Sequence, residues 1–115
     1  MHANARDAIA RNWAVGPRIV DAGTSLSTTT GHMDPTLGMR EEFHEALREE
    51  GSTCDGADDC RRAVRRQIAL GADVIKIATT GGVNSRIGLG LGAQMFQDEV
   101  RAIVETAHLY GKKVA

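Results

Sequence analysis

Ala72-Asp-Val-Ile-Lys-Ile-Ala-Thr-Thr-Gly-Gly82 is the stretch on which the fold turns. It lies between Gly71 and the Gly81-Gly82 pair, and Val74, Ile75 and Ile77 give it β-branched character. It is too short for an ordinary helix and reads as a buried strand. Side chains alternate along a strand, so Ile75 and Ile77 share one face while Val74, Lys76 and Ala78 share the other. The bulky pair suits packing beneath helices, and the slimmer set suits a crowded interior with the lysine among it. Burying an ammonium without a partner moves a lysine pKa by up to about 3–5 pH units. At about 1.4 kcal/mol per unit, that cost rivals the stability of a small domain. Lys76 therefore asks for a chemical explanation. Three are open: a metal-bridging carbamate, a Schiff-base amine, or a side chain that snorkels to the strand end.

Outward from this stretch, helical and extended patterns alternate. Upstream, Asn4 to about Trp13 carries Ala, Ile and Trp at helical spacing, and Gly16-Pro17 ends it. Arg18-Ile-Val-Asp-Ala22 reads as a short strand running into a long polar loop, Gly23 to Pro35, that contains His32. Met39 to Glu50 is amphipathic, with Met39, Phe43 and Leu47 on one side and His44 on the solvated one. A helix follows from the acidic turn before Asp59 to Leu70, with Ala63, Val64, Gln67 and Ile68 facing inward. Downstream, a glycine-rich loop leads to a helix from about Gln94 to Tyr110. Its predicted inner positions are Phe96, Val100, Ile103, Val104 and Ala107; Asp98, Glu99 and Arg101 are predicted outside. Lys113-Val-Ala115 begins another strand. Strands alternating with helices indicate parallel βαβ units, hence an α/β fold. The piece fits a doubly wound sheet or a segment of a (β/α)8 barrel, which in full needs about 250 residues. Both ends read as cuts, Met1 within a helical pattern and Ala115 within a strand.

The composition excludes several classes. The 115 residues carry a formal net charge of −1 and 3% aromatics, which gives neither a basic footprint nor stacking platforms for nucleic acid. Arg61, Arg62, Arg65 and Arg66 follow Asp58 and Asp59 at helical spacing and read as an ion-paired, solvated face. No apolar run approaches the roughly 20 residues of a membrane span, and residues 1–115 hold no recognisable targeting signal, which leaves the compartment open. Cys54 and Cys60 are too few and too far apart for a zinc knuckle and read as unpaired.

Function in parallel α/β architectures gathers at the carboxyl ends of the strands. Ser27-Thr-Thr-Thr-Gly-His-Met-Asp34 follows one strand and Thr79-Thr-Gly-Gly-Val-Asn-Ser-Arg86 follows the next. The two loops should open on one side and bring His32, Asp34, Lys76, Thr79, Thr80, Asn84 and Arg86 into one neighbourhood.

These motifs resemble a known family. Gly16-Pro-Arg-Ile-Val20, Leu26-Ser-Thr-Thr-Thr-Gly-His-Met-Asp-Pro35, Gly71-Ala-Asp-Val-Ile-Lys-Ile-Ala-Thr-Thr-Gly-Gly-Val83 and Glu99 to Ala115 are similar to the amidohydrolase superfamily. The similarity is to the imidazolonepropionase-like branch that includes Xaa-Pro dipeptidases, and it spans nearly the whole chain, least clearly at Met39 to Ser52. It implies that residues 1–115 are an internal fragment of a single (β/α)8 TIM-type barrel domain, about strands 3 to 5. It also implies metal-dependent hydrolysis of an amide or peptide C–N bond in a dipeptide-like substrate. In such enzymes the fourth-strand lysine is carboxylated and bridges two zinc ions, a role that falls on Lys76; the substrate-contacting role falls on His32 and Arg86. A carbamate would resolve the charge problem, since an anionic oxygen ligand is neutralised by divalent cations.

The family's His-x-His pair, its other metal-binding histidines and its late aspartate are absent from this stretch. One ligand does not hold a metal, so residues 1–115 alone are expected to be inactive, not to retain zinc and to self-associate. The expected partners are a small-molecule or peptide substrate, with no nucleic acid and no membrane. Three rival readings differ in chemistry. A Schiff-base aldolase uses the lysine as a neutral amine, a phosphate-binding barrel uses the Thr79-Thr-Gly-Gly82 amides, and a structural βαβ piece uses neither.

Overall fold

The computed structural model describes residues 3–50, 52–84 and 90–115. Helix α1 spans Ala3–Ala10, α2 His44–Glu50 after a single 3-10 turn at Glu41–Phe43, α3 Ala57–Ala69 and α4 Gln97–Leu109. Helices α3 and α4 pack side by side over short extended segments, and the core lies between these two layers.

The segments run parallel but pair only through single bridges: Ser27 with Thr53, Leu26 with Ile77, and Ile75 with Val114. They are held by backbone hydrogen bonds such as Leu26 N to Lys76 O at 2.8 Å and Ile75 N to Lys113 O at 2.9 Å. Their order across the layer is Thr53, Leu26–Ser27, Ile75–Ile77, Val114. The parallel α/β arrangement is thus present, while no regular strand occurs among the described residues.

The expected strand Arg18–Ala22 is corrected. Pairing begins at Asp21, whose carbonyl accepts from the Asp73 and Val74 amides, and resumes at Leu26. Between them Gly23 adopts φ +63° and the Gln67 side chain takes the Thr24 amide at 3.0 Å. The ladder is broken because the chain bends around that glutamine. A Cβ on Gly23 would fall 2.6 Å from Gln67 Oε1, so the close approach depends on glycine as well.

The predicted face of the central segment holds. Ile75 is fully buried, in a core with Leu26, Val64, Ile103 and Ala107, and Ile77 packs against it. Lys76, on the other face, is exposed rather than buried. Its ammonium meets solvent in the chain as described.

Helix α3 buries Ala63, Val64 and Gln67, and its outer face carries the expected i,i+3 pairs Asp58–Arg61 (2.6 Å) and Asp59–Arg62 (2.8 Å). Helix α4 departs from its predicted faces at two positions. Phe96 precedes the helix and is 79% exposed, whereas Glu99 is only 4% exposed. Glu99 Oε1 accepts the Phe96 amide at 2.8 Å, closing the first turn as a capping glutamate does. Its Oε2 accepts the Gly56 amide at 2.7 Å, so both carboxylate oxygens are satisfied inside the fold. One glutamate thereby joins the starts of α3 and α4.

The cysteines are also corrected. Cys54 and Cys60 form a disulfide and are fully buried. Their separation of six residues places Cys60 one turn into α3, facing back toward Cys54. A loop of that size constrains the unfolded chain by roughly 2 kcal/mol in the chain-entropy picture. Near the N-terminus, Arg6 pairs with Asp73 at 2.8 Å and donates to the Gly71 carbonyl, tying α1 to the entry of the central segment. The Asp21 amide and Arg6 together hold the Asp73 carboxyl below its ordinary pKa.

Candidate functional site

The bridge between Leu26 and Ile77 places Ser27 and Lys76 on the same face, because both neighbours of the bridged pair turn the other way. Beyond Ser27 the chain folds back over that face. Gly31 sits so near Ser27 that a Cβ there would fall 2.2 Å from Ser27 Oγ, and Ser27 is fully buried beneath it. The loop then carries His32 across to the end of the central segment. A Cβ on Gly82 would lie 2.2 Å from His32 Cε1 and 2.4 Å from Nδ1, so the imidazole rests directly on the Gly82 backbone. The two loops after the parallel segments do meet.

Asp34 shapes the His32 loop. It is buried, and it accepts from the Thr30 amide (2.8 Å), the Thr36 amide (2.8 Å) and the Thr36 hydroxyl (2.7 Å). Burial alone would push its carboxyl up. The Thr36 hydroxyl and the Thr30 and Thr36 amides outweigh burial and leave the pKa below the ordinary carboxylate value. The Thr30 bond also holds a residue with φ +69°, uncommon for a β-branched side chain. Backbone strain of this kind costs on the order of 1–3 kcal/mol and persists where the surroundings enforce it. Asp34 is therefore a loop-forming residue, with its oxygens turned into the loop.

The other expected residues divide. Thr79 contributes its carbonyl to the Gln94 amide at 2.8 Å, and Thr80 is bridged antiparallel to Ala93. Asn84 is exposed beyond Gly82. Arg86 lies outside the described residues. Gly81 donates its amide to the Gly92 carbonyl at 3.0 Å, and a Cβ there would collide with the Gly90 carbonyl oxygen. That amide is already used, which removes one donor from a phosphate cradle at Thr79–Gly82.

Sequence reasoning missed Gln94, placed there at the beginning of a helix. Its amide, carbonyl and side chain each bond a different residue across the two loops: the Thr79 carbonyl, the Thr28 hydroxyl (3.1 Å) and the His32 amide (2.9 Å). Glu99 was missed as well, although its position three residues after Phe96 is the capping spacing. Thr29 is fixed from a further side by Asp55, through the backbone amide at 3.0 Å and the hydroxyl at 2.6 Å. A polar groove of about 670 Å³ between α2 and α3 is lined by Thr29, Arg48, Ser52, Asp55 and Arg62 among others, and includes neither His32 nor Lys76.

No group of three or more His, Cys, Asp or Glu side chains among the described residues is placed to hold a metal ion. Lys76 shares its face with the His32 loop, and no carboxylate or histidine cluster surrounds it among the described residues. These residues do not form a metal centre by themselves.

Comparison with known proteins accounts for the motifs. The amidohydrolase family model matches residues 2–115. Ochratoxinase from Aspergillus niger is 35% identical over 122 residues, a match covering 85% of this chain and 25% of that protein. The crystal structure of a Xaa-Pro dipeptidase with bound methionine in its active site superposes with a TM-score of 0.87 and 41% identity. That match covers 97% of this chain and 28% of the dipeptidase. A prolidase complexed with N-methylphosphonate-L-proline gives a TM-score of 0.77 and 34% identity over 96% of this chain and 28% of that one. The crystal structure of A. niger ochratoxinase gives 0.81 and 32% over 94% and 28%. The chain spans about a quarter of the length of the curated relatives it matches. Its neighbours are barrel-like and its family is generally metal-dependent. With the family model matched from residue 2 to residue 115, the chain belongs to the amidohydrolase family.

Proposed function

We propose that residues 1–115 are part of a single (β/α)8 barrel domain, about strands 3 to 5, of a hydrolase that cleaves the C–N bond of a dipeptide-like substrate. The observation that carries this is the meeting of the His32 loop with the Gly82 turn on the Lys76 face, in a chain matched along its length by the amidohydrolase family. The substrate class comes from the Xaa-Pro dipeptidase and prolidase neighbours.

In this reading Lys76, as a carbamate, would offer its anionic oxygens to a binuclear zinc site whose other ligands would come from elsewhere in the protein. Metal bound there would lower the pKa of a coordinated water toward neutrality. The residues of this chain have separate tasks. Ile75 and Ile77 anchor the segment from below and so fix the height at which Lys76 stands. His32, seated on Gly82, binds a substrate carboxylate or carbonyl from the side of the site, and a second substrate contact is assigned to Arg86. Asp34 and Asp55 keep the His32 loop closed.

By itself the chain is inactive and self-associates, because one candidate ligand does not retain metal and the outer segments at Thr53 and Val114 have no further parallel neighbour among the described residues. The test of function is hydrolysis of a panel of Xaa-Pro and N-acyl amino acid substrates by the whole protein, with and without chelator. Activity that survives complete chelation would overturn the metal-dependent reading.

A further inference from the structure

Gln94 stands at the junction of the two loops that form the site, and only one of its three attachments uses its side chain. The backbone amide donates to the Thr79 carbonyl (2.8 Å), and the backbone carbonyl accepts from the Thr28 hydroxyl (3.1 Å). Any residue at position 94 keeps both. The side chain alone reaches His32, where Oε1 accepts the backbone amide at 2.9 Å. An N–H can only donate, so the atom facing it must be the amide oxygen, which fixes the orientation of the carboxamide. Nε2 is thereby turned toward Gly81, where a Cβ would stand 3.3 Å from it. The carboxamide is held between Gly81 and His32, beside the Gly82 backbone on which the imidazole rests.

We infer that Gln94 is a positioning residue that sets the His32 imidazole on Gly82. This deepens the proposed function and rests on its reading of His32 as a substrate contact. The imidazole makes no hydrogen bond of its own among the described residues, and its residue is exposed. Its placement therefore depends on its backbone, and the backbone is tethered at the His32 amide. Asp34 holds the loop at Thr30, two residues earlier, and Asp55 holds it at Thr29, three residues earlier. Gln94 is the tether at position 32 itself. A glutamate at position 94 would preserve an acceptor oxygen of the same reach, whereas alanine would remove it and leave both backbone attachments in place.

The test uses the whole protein labelled selectively in histidine and glycine. In the wild type, the nuclear Overhauser effect between His32 Hε1 and the Gly82 α-protons is expected, and the His32 amide should exchange with solvent roughly fivefold more slowly than in Gln94→Ala. Gln94→Ala should lose the cross-peak, and Gln94→Glu should restore it, with helical circular dichroism the same in all three. An unchanged cross-peak in Gln94→Ala, or its loss in Gln94→Glu with the helices intact, would overturn the inference. Should Gln94→Ala not fold, the wild-type His32 amide still decides: exchange at the rate of a free exposed amide overturns it, and protection supports it. Hydrolysis assayed on the same samples separates the two claims. The expected labelling pattern in a protein without hydrolase activity would support the positioning role while contradicting the hydrolytic one.

Discussion

His32 and Gly82, fifty positions apart in the sequence, are in contact through an imidazole laid on a bare backbone. A Cβ at position 82 would fall within 2.2–2.7 Å of three ring atoms, and the obstacle is a side chain on an exposed loop. Gly82→Ala should therefore displace the ring without disrupting the core. A misplaced substrate group can cost about 10²-fold in rate, so turnover of the whole enzyme is expected to fall by about 10–100-fold with metal content unchanged. Steady-state kinetics beside metal analysis checks this. Wild-type turnover in Gly82→Ala would remove His32 from the site.

The Asp34 carboxyl gives the His32 loop an acid dependence. Its pKa is lowered in the folded chain, so the unfolded chain binds the proton more readily. The stabilisation is fully present above the unfolded value of about 3.9 and is lost as pH falls through the lower folded value. Asp73, shifted in the same direction, adds to the same trend. Denaturant titrations from pH 6 to pH 2 should show stability falling in the acid range, with a shallower slope for Asp34→Asn. At neutral pH that variant should be less stable by about 1–3 kcal/mol, because an amide cannot accept all three bonds. Identical slopes would remove Asp34 from this role.

Glu99 offers a sharper stability test. Its two oxygens cap α4 at Phe96 and hold Gly56 at the entrance to α3. Hydrogen bonds to a charged group are each worth about 1.5–3 kcal/mol, and Glu99→Ala leaves two amides without their partner. A loss of about 2–4 kcal/mol is expected for alanine and a smaller one for Glu99→Gln, which keeps one acceptor. Chemical denaturation of both variants measures it. Equal effects would mean that only one of the two bonds matters.

The isolated chain should self-associate. Val15, Trp13, Val20 and Phe96 are all more than half exposed, and the segments at Thr53 and Val114 are the outer members of the parallel layer. Unpaired edges and contiguous apolar surface favour pairing with other chains. Light scattering of residues 1–115 across a dilution series should show mass above that of a monomer. A monomer with a cooperative melt at every concentration would contradict this.

Much of the architecture was legible because it follows from periodicity. The buried position of Ile75, the inner faces of α3 and the Asp58–Arg61 and Asp59–Arg62 pairs all repeat at fixed spacing. What periodicity does not carry was missed. Glu99 looked like an outward charge, since its two partners are backbone amides and one is 43 residues away. The Cys54–Cys60 bond depends on how α3 begins, and the strand predicted at Arg18–Ala22 is displaced by a bend around Gln67, a residue on another element. At the site, the His32 loop was anticipated from its place after an extended segment. Gln94 was not, because its bonds use two backbone groups and a neutral amide that leave no pattern in composition or charge. Lys76 was expected to be buried from its neighbours, and it is exposed because the loop that folds over its face buries Ser27 and leaves the lysine in solvent.

The central claim is that Lys76 carries metal in the whole protein, and metal content measured on wild type and Lys76→Ala tests it most directly. The family is generally metal-dependent, and Lys76 stands on the face that the His32 loop overhangs. The account predicts that wild type, reloaded after acid chelation, recovers metal fully only when bicarbonate is supplied with it. Lys76→Ala should lack at least one metal equivalent under the same conditions. Full metal occupancy in Lys76→Ala would contradict the account.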